Sequence, residues 1–249
     1  MGTASGEASD VDAGITAAVD FRGARWWMLG LFLAAALPRL VGLKAGLPLV
    51  LNPDELMSLG FARAIDVSGD LRGQPWRYPP LLGDVMYGLM VVLRGVGGCE
   101  GACSDPQVLT LGRVVSVLAS SLGVVAIFAA SRMAGVPRSW SALGALVLAW
   151  SPTFLFMGRY ATPDALATGG VCASVMCLVA IAGGRGRGWY VAAALALGIT
   201  GGAKYNAGLV AVSVVIAHFA SPKRRAWLPW MLLTALGAFG VFVVTLLPP

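Results

Sequence analysis

The stretch WSALGALVLAWSPTFLFMGRYATPDALATGGVCASVMCLVAIA, residues 140–182, decides how the chain must fold. It holds two apolar runs, at 140–158 and 164–182, each close to the roughly 20 residues that a helix needs to cross a bilayer. Asp164 stands between them and is the only acidic residue after Asp105. A carboxylate at membrane depth is costly, so it usually lines a water-filled cavity, pairs with a cation or takes part in chemistry. The stretch therefore predicts two membrane helices with a functional acid at their junction.

The whole chain has the composition of a polytopic helical membrane protein. Hydrophobic residues make up 57% of its 249 residues, charged residues make up only 12%, and the mean hydropathy is +0.78. These values lie outside the usual range of a soluble domain. The net charge of +6 falls mostly in short breaks between apolar runs, which indicates membrane orientation and argues against nucleic-acid binding. Apolar segments are predicted at 26–48, 80–98, 108–131, 140–158, 164–182, 189–203, 206–220 and 227–247.

The first 24 residues differ from the rest of the chain. Residues 1–24 are polar and small, carry four acids and have few large apolar groups, so we expect a disordered cytosolic tail. A cleaved signal peptide would need a basic start, whereas this tail is acidic. Residues 25–249 are predicted to form one membrane module.

The basic residues distinguish two topologies. The breaks that carry them are Arg132/Arg138, Arg185/Arg187 and Lys223/Arg224/Arg225. If Arg22 and Arg25 are cytosolic and 80–98 does not cross, all three breaks are cytosolic too, whereas a crossing at 80–98 moves all of them outside. The positive-inside rule favours the first arrangement, which has about seven crossings. It also places Asp54 and Asp164 on the same exofacial side, although neither acid was used to choose it.

In this topology residues 52–107 form an exofacial insertion that holds seven of the chain's twelve acids. Residues 54–65 have the pattern of an interfacial amphipathic helix, with Arg63 and Asp66 facing water. The apolar stripe of this helix consists of Leu56, Leu59, Phe61 and Ala62. Ser68-Gly69-Asp70 is expected to end the helix, because glycine is the usual helix stop.

Two further parts of the chain carry local signals. Tyr78-Pro79-Pro80-Leu81 predicts the start of a second surface or half-inserted helix. Cys99 and Cys103 follow that helix and could form a disulfide outside the cytosol. Segments 189–203 and 206–220 are short for two crossings, and are expected either to meet at Lys204-Tyr205-Asn206 or to tilt. Gly198 and Gly202 would allow close helix packing there.

A series of short motifs occurs in a fixed order along residues 26–249. The series is Asn52-Pro53-Asp54-Glu55, Arg63, Ser68-Gly69-Asp70, Tyr78-Pro79-Pro80-Leu81, Arg113, Ser151-Pro152, Arg159-Tyr160 ahead of Asp164, and Gly202-Ala203-Lys204-Tyr205-Asn206. It resembles the GT-C superfamily of integral-membrane glycosyltransferases, and within it the dolichyl-phosphate-mannose protein mannosyltransferases and the bacterial aminoarabinose or lipopolysaccharide-sugar transferases. With the apolar segments, this resemblance predicts an all-α, polytopic transmembrane bundle of GT-C type with exofacial amphipathic juxtamembrane helices.

The resemblance also implies a function. Members of the superfamily take a sugar from a polyprenyl-phosphate carrier on the exofacial side and pass it to a lipid, glycan or protein hydroxyl. This implies a glycosyltransferase of a bacterial-type inner membrane, with the N-terminus in the cytosol. It assigns catalysis to Asp54, Glu55 and Asp164, and makes Asp54 and Asp164 candidate ligands of Mg²⁺ or Mn²⁺. The residues implied for the substrate pocket are Tyr78, Arg63 and Tyr205.

Glycosyl transfer itself needs these residue types. The acceptor hydroxyl must lose a proton, which a carboxylate such as Asp54 can take. The departing lipid phosphate needs basic side chains or a metal to stabilise its charge. Candidates for this contact are Arg39, Arg77, Arg159 and Lys204. In the aminoarabinose-transferase branch a lysine precedes the proline of the second surface helix. Here that position is Pro79, so Arg77 or another base must replace the lysine.

Each assignment has a structural alternative. Asp54 and Glu55 could be acids that stabilise a helix start, Asp164 could serve the first turn of a helix begun by Thr162-Pro163, and Arg39 could only snorkel. The alternative function is a membrane transporter or lipid flippase, which would spread polar residues through several helices. Because GT-C members are usually longer, we expect the chain to lack a C-terminal part.

Overall fold

The computed structural model describes residues 21–50, 52–69, 78–99 and 101–247, and these residues form helices joined by turns and short loops. The helices are α1 (Phe21–Leu40), α2 (Pro53–Ser68), α3 (Leu81–Gly95), α4 (Asp105–Met133), α5 (Arg138–Trp150), α6 (Pro152–Met157), α7 (Pro163–Ala182), α8 (Gly188–Ala203), a 3₁₀ helix (Tyr205–Val212), α9 (Ser213–Ala220) and α10 (Arg224–Val244). The all-α fold predicted from the sequence is confirmed in this part of the chain. The predicted tail lies outside the described residues up to residue 20, and its last four residues belong to α1.

The predicted apolar segments correspond to helices, with three differences. Segment 26–48 is helical only to Leu40, and turns follow in which Gly42 and Gly46 take positive φ values of 69° and 80°. Segment 140–158 is divided between α5 and α6 at Ser151, because Pro152 has no N–H to continue the α5 ladder but fits the first turn of α6. Segment 206–220 begins as the 3₁₀ helix and becomes α-helical only at Ser213.

Local signals position α2 as predicted. The Asp54 N–H donates to Asn52 Oδ1 at 3.0 Å, and Gly69 ends the helix at φ 68° with its N–H donating to Ile65 O. One detail of the predicted apolar stripe is wrong, because Leu56 is 52% exposed while its neighbour Glu55 is 0% exposed. Glu55 is stabilised in its buried position by an ion pair with Arg113 of α4, and Leu56 therefore faces outward.

The predicted second surface helix is α3, and it packs tightly on α2. A Cβ atom on Gly83 would lie 2.4 Å from Phe61 Cβ, so only glycine allows this approach. Arg94 of α3 forms a bidentate ion pair with Asp66 at 2.6 and 2.7 Å. Asp66 therefore does not simply face water. Cys99 and Cys103 form a disulfide before α4 begins, as the sequence indicated.

The centre of the bundle is α4, a helix of 29 residues and thus about 43 Å long. It packs against α7 where small residues meet, and a Cβ on Gly169 would lie 2.4 Å from Ala119 O. The close packing predicted for Gly198 and Gly202 is confirmed. Their Cβ atoms would lie 2.4 Å from Val241 Cβ and 2.2 Å from Thr245 Oγ1 of the α10 region.

Three helices of the described chain are long and apolar enough to cross a membrane: α4, α7 and α10. α8 and the segment Tyr205–Ala220 are apolar but shorter. These helices are consistent with an integral membrane protein. The count of about seven crossings stays a prediction.

The bundle has two chemically different ends. We call the first the site end; the starts of α2 and α7 and the junction after α8 meet there. At the other end, the basic end, Arg185 Nη2 donates to Met133 O at 3.0 Å, and a Cβ on Gly184 would lie 3.1 Å from Pro222 Cγ. These contacts bring together the three breaks that hold six arginines and Lys223. The cytosolic position of the basic end stays a prediction.

Candidate functional site

Asp164 has a basic partner at the site end. Thr162 is extended and Pro163 opens α7, which leaves Asp164 in the first turn. Lys204 is extended at the junction between α8 and the 3₁₀ helix, and its Nζ forms an ion pair and hydrogen bond with Asp164 Oδ1. The Asp164 side chain keeps 34% of its surface exposed and the Lys204 side chain keeps 25%, so a ligand can reach both. Two residues predicted from the sequence, 40 positions apart, are therefore in contact.

Asp54 lies within electrostatic reach of this pair. Burial lowers the pKa of Lys204, but the hydrogen bond that it donates to Asp164 and its electrostatic interactions with Asp164, Tyr78 and Asp54 outweigh burial, so that the pKa is raised overall. Asp54 is half-buried, and no described side chain forms an ion pair with its carboxylate. Among the described residues, the Asp54 carboxylate is therefore left open to a ligand.

Two tyrosines flank Lys204. The Lys204 Nζ lies 5.3 Å from the ring centre of Tyr78, a distance at which the ring face attracts a cation. Tyr205 follows in the chain, and its ring meets Phe242 edge-on at 6.2 Å between ring centres. Both residues were predicted for the substrate pocket, and both lie beside the predicted phosphate contact.

A buried ion pair connects the elements of the site end. Arg113 of α4 donates from Nε and Nη2 to the two oxygens of Glu55, each at 2.8 Å. Its Nη1 donates to Leu43 O at 2.7 Å and Ala45 O at 3.0 Å. Glu55 Oε1 also accepts from the Ala161 N–H at 2.8 Å. The pair thus ties the loop after α1 and the loop before α7 to α2 and α4.

This arrangement bears on the role of Glu55. Its side chain is 0% exposed, and both oxygens are engaged. Such a carboxylate cannot take a proton from a ligand while the pair is closed, so the geometry favours a positioning role over the catalytic role predicted for it. Arg113 belongs to the series of motifs in the sequence, but the motif alone does not predict a role for it. The signal was present, since an arginine inside an apolar helix needs an acidic partner.

Tyr160 lies between two guanidinium groups. The centre of its ring is 5.5 Å from Arg113 Cζ and 5.9 Å from Arg159 Cζ. Arg159 also donates from Nη2 to Gly42 O at 3.1 Å, where a positive φ of 69° turns the chain. The predicted phosphate contact Arg159 therefore belongs to the site end, where it joins the loop after α1.

Two other predicted contacts lie elsewhere. Arg39 is 0% exposed and donates to Ala35 O, Ala149 O and Phe154 O at 2.6, 3.1 and 3.2 Å. Because it is fully buried, Arg39 has no surface from which to hold a phosphate. Its hydrogen bonds to backbone carbonyls instead connect α1 to the junction of α5 and α6. Arg63 pairs with Asp105 and donates to Cys103 O at 2.6 Å. It thereby stabilises the insertion next to the disulfide. Arg77 lies outside the described residues.

The metal prediction concerns Asp54 and Asp164. Within the described part of the chain, no three His, Cys, Asp or Glu side chains come together. Two carboxylates with substrate phosphate oxygens can hold Mg²⁺, but one of these carboxylates is already neutralised by Lys204. The metal stays a prediction, with Asp54 and Asp164 as its ligands.

An apolar groove begins next to the site. It has a volume of about 480 Å³ and lies between α8, the 3₁₀ helix, α9 and α10. Its lining includes Tyr205, Val214, Met231, Ala235 and Phe242. The 12 residues from Met231 to Phe242 rise about 16 Å along the helix axis, which is about half of the roughly 30 Å hydrocarbon core. The groove is thus as deep as one leaflet.

These features define a helical membrane protein with acids and bases gathered at one end, beside a groove of lipid-tail depth. Residues 107–247 match the sequence profile described as dolichyl-phosphate-mannose-protein mannosyltransferase, and the chain belongs to that family. Membership identifies it as a membrane glycosyltransferase of the mannosyltransferase type. The match includes Arg113, Asp164 and Lys204 and begins after Asp54. No curated protein and no solved structure matches the chain.

Proposed function

We propose that the protein transfers a sugar from a polyprenyl-phosphate donor to a hydroxyl of a lipid, glycan or protein acceptor at the site end, and that this end is exofacial. The observation that carries the proposal is the Asp164–Lys204 pair beside the available carboxylate of Asp54. Acceptor activation and phosphate binding need these two kinds of group within one site.

Lys204 binds the phosphate of the donor. The raised pKa of Lys204 keeps its ammonium group charged, and a charged N–H group makes stronger hydrogen bonds to phosphate oxygens than a neutral one. The isoprenoid tail extends from there into the apolar groove, whose mouth is formed by Tyr205 and Phe242. Arg159 is the second cation at this end that can approach a phosphate.

Asp54 acts as the general base. As the acceptor oxygen attacks the anomeric carbon, its proton passes to Asp54, and the bond between that carbon and the phosphate oxygen breaks. The polyprenyl phosphate leaves with the electron pair of that bond, and Lys204 stabilises its charge. The Glu55–Arg113 pair holds the first turn of α2, and therefore Asp54, against α4. Glu55 and Arg113 are positioning residues in this mechanism.

The orientation rests on charge. The six arginines and one lysine of the basic end follow the positive-inside rule if that end is cytosolic, and the site end then faces the opposite side. An inner-membrane enzyme oriented in this way meets its lipid donor in the outer leaflet, which the groove matches in depth. Cysteines introduced at 135 and 186 should label only from the cytosol, and those at 105 and 162 only from outside.

The test is sugar transfer in membranes that contain the protein. Radiolabelled polyprenyl-phosphate mannose is supplied, and label is followed into the lipid, glycan and protein fractions. Asp54→Asn and Lys204→Gln should each lower transfer at least 100-fold, whereas Arg224→Gln at the basic end should leave it within twofold. Unchanged transfer in Asp54→Asn would remove the mechanism. Uptake of the donor into vesicles without transfer would favour the transporter.

A further inference from the structure

A second cavity, of about 420 Å³, lies behind Asp164 between α4, α6 and α7. We call it the polar recess. Five of its nine lining residues carry polar side chains, and Phe154, Met157, Gly158 and Ala165 complete it. The polar residues that line it are Ser120, Ser151, Thr153, Asp164 and Thr168. The proposed mechanism uses only Asp164 of this set.

The hydroxyl groups of the recess can accept hydrogen bonds. Thr168 Oγ1 donates to Asp164 O at 2.7 Å, and Ser120 Oγ donates to Ser116 O at 2.8 Å. Each of these oxygens has therefore used its proton and retains lone pairs. Ser151 and Thr153 flank Pro152 at the break between α5 and α6, and no described group bonds to their hydroxyls. The break thus presents two more hydroxyls towards the cavity.

A polar cavity inside a membrane bundle is costly unless a polar occupant satisfies it. Arg39 lies beside one wall of the recess, next to Gly158. Arg39 is fully buried, and its Nε has no hydrogen-bond partner. It lies behind Gly158, where an added Cβ would be only 2.6 Å from the Arg39 Nε and 2.8 Å from Ser120 Oγ. A side chain at 158 would displace these groups.

We propose that the polar recess binds the sugar ring of the donor, and that Asp164 accepts a hydrogen bond from the hydroxyl next to the anomeric carbon, the 2-hydroxyl. The proposal rests on the proposed function, because Lys204 holds the phosphate at the anomeric carbon and Asp164 is bonded to Lys204. The sugar hydroxyl closest to that phosphate is the one on the neighbouring carbon. The other ring hydroxyls donate to Thr153 and Thr168, and the C–H face packs on Phe154 and Met157.

The experiment measures kcat and KM with polyprenyl-phosphate mannose and with its 2-deoxy analogue. Thr153→Val and Thr168→Val remove one hydroxyl each without changing side-chain size, and each should raise KM about three- to tenfold. Thr110→Val is the matched control, because Thr110 Oγ1 also donates to a carbonyl four residues earlier, at 2.6 Å, but lies outside the recess. It should change KM less than twofold. The parent should disfavour the 2-deoxy donor at least tenfold.

A second measurement separates this inference from the proposed function. Binding of free methyl mannoside to the protein in micelles is followed by saturation-transfer NMR, in the parent and in Thr153→Trp, whose indole fills the recess. Signal in the parent that Thr153→Trp abolishes supports the recess even if no transfer occurs, in which case only the proposed function fails. The inference would be overturned if both valine variants transferred sugar with unchanged KM. It would also be overturned if the mannoside signal survived Thr153→Trp. Either result would show that the recess does not hold the sugar.

Discussion

Replacing Glu55 by Gln tests the buried ion pair at the centre of the site end. The change removes the negative charge opposite Arg113, which is 2% exposed, and turns one of the two 2.8 Å contacts into a donor facing a donor. Two hydrogen bonds between charged groups are worth about 3–6 kcal/mol, and removing one partner of a buried pair costs about 3–5 kcal/mol. We therefore expect Glu55→Gln to lose about 4 kcal/mol of stability, or about 10 °C in Tm.

Thermal unfolding in detergent micelles, followed by tryptophan fluorescence, measures this loss. The control is Asp105→Asn, which breaks the Arg63–Asp105 pair in which the Asp105 side chain is 61% exposed. An exposed pair contributes only about 0–1 kcal/mol, so this variant should unfold within about 3 °C of the parent.

A double-mutant cycle separates the pair from its surroundings. Glu55→Gln and Arg113→Gln should be non-additive by at least about 2 kcal/mol, because the second change removes the cation that the first left uncompensated. Additive losses, or a fall of less than about 2 °C in Glu55→Gln, would refute the assignment of this pair as the connection between α2, α4 and the two loops. A positioning role also predicts that Glu55→Gln lowers transfer without moving its pH profile, since Asp54 remains the base.

Three further predictions concern other parts of the chain. Burial raises the pKa of Asp84 to about 7, so the charge on Asp84 destabilises the folded state increasingly as pH rises from about 4 to 7. Asp84→Asn should therefore raise Tm relative to the parent at pH 8 but not at pH 4. Equal Tm shifts at both pH values would disprove this. Ala235→Phe narrows the apolar groove and should raise KM for a long-chain donor more than for a two-isoprene donor, a difference that vanishes if the tail lies elsewhere. Because Lys204 already supplies positive charge beside Asp164, sugar transfer should survive treatment with EDTA. If EDTA abolished transfer and Mg²⁺ or Mn²⁺ restored it, the metal would be assigned to Asp54 and Asp164.

Local sequence signals predicted most helix positions well. Asn52 and Gly69 mark the two ends of α2, and Pro163 opens α7, because caps and prolines act through the backbone within one turn. The break at Ser151 was quoted as a motif but not recognised as a helix boundary. There the apolar run continues across Pro152, so hydrophobicity alone did not separate α5 from α6.

Side-chain roles were harder to predict. Arg39 was expected to meet a phosphate, but it is fully buried by carbonyl groups of α5 and α6. Glu55 was expected to share the chemistry of Asp54, but it is paired with Arg113, 58 positions away. In both cases the deciding partner lies far along the chain. An arginine inside an apolar helix, such as Arg113, indicates that an acidic partner exists, but the neighbouring residues do not show which one it is.

The sequence by itself determined a helical membrane protein with seven of its 18 basic residues in three short breaks and with Asp164 between two apolar runs, because hydropathy and backbone preferences are local properties. Only the tertiary structure decided which of the acids are paired with basic side chains. It joined Lys204 to Asp164 across 40 positions and Ala161 to Glu55 across 106, and it formed the groove and the recess between helices that are distant in sequence. Whether a carboxylate can react depends on its solvation and on its cation, and both are set by packing.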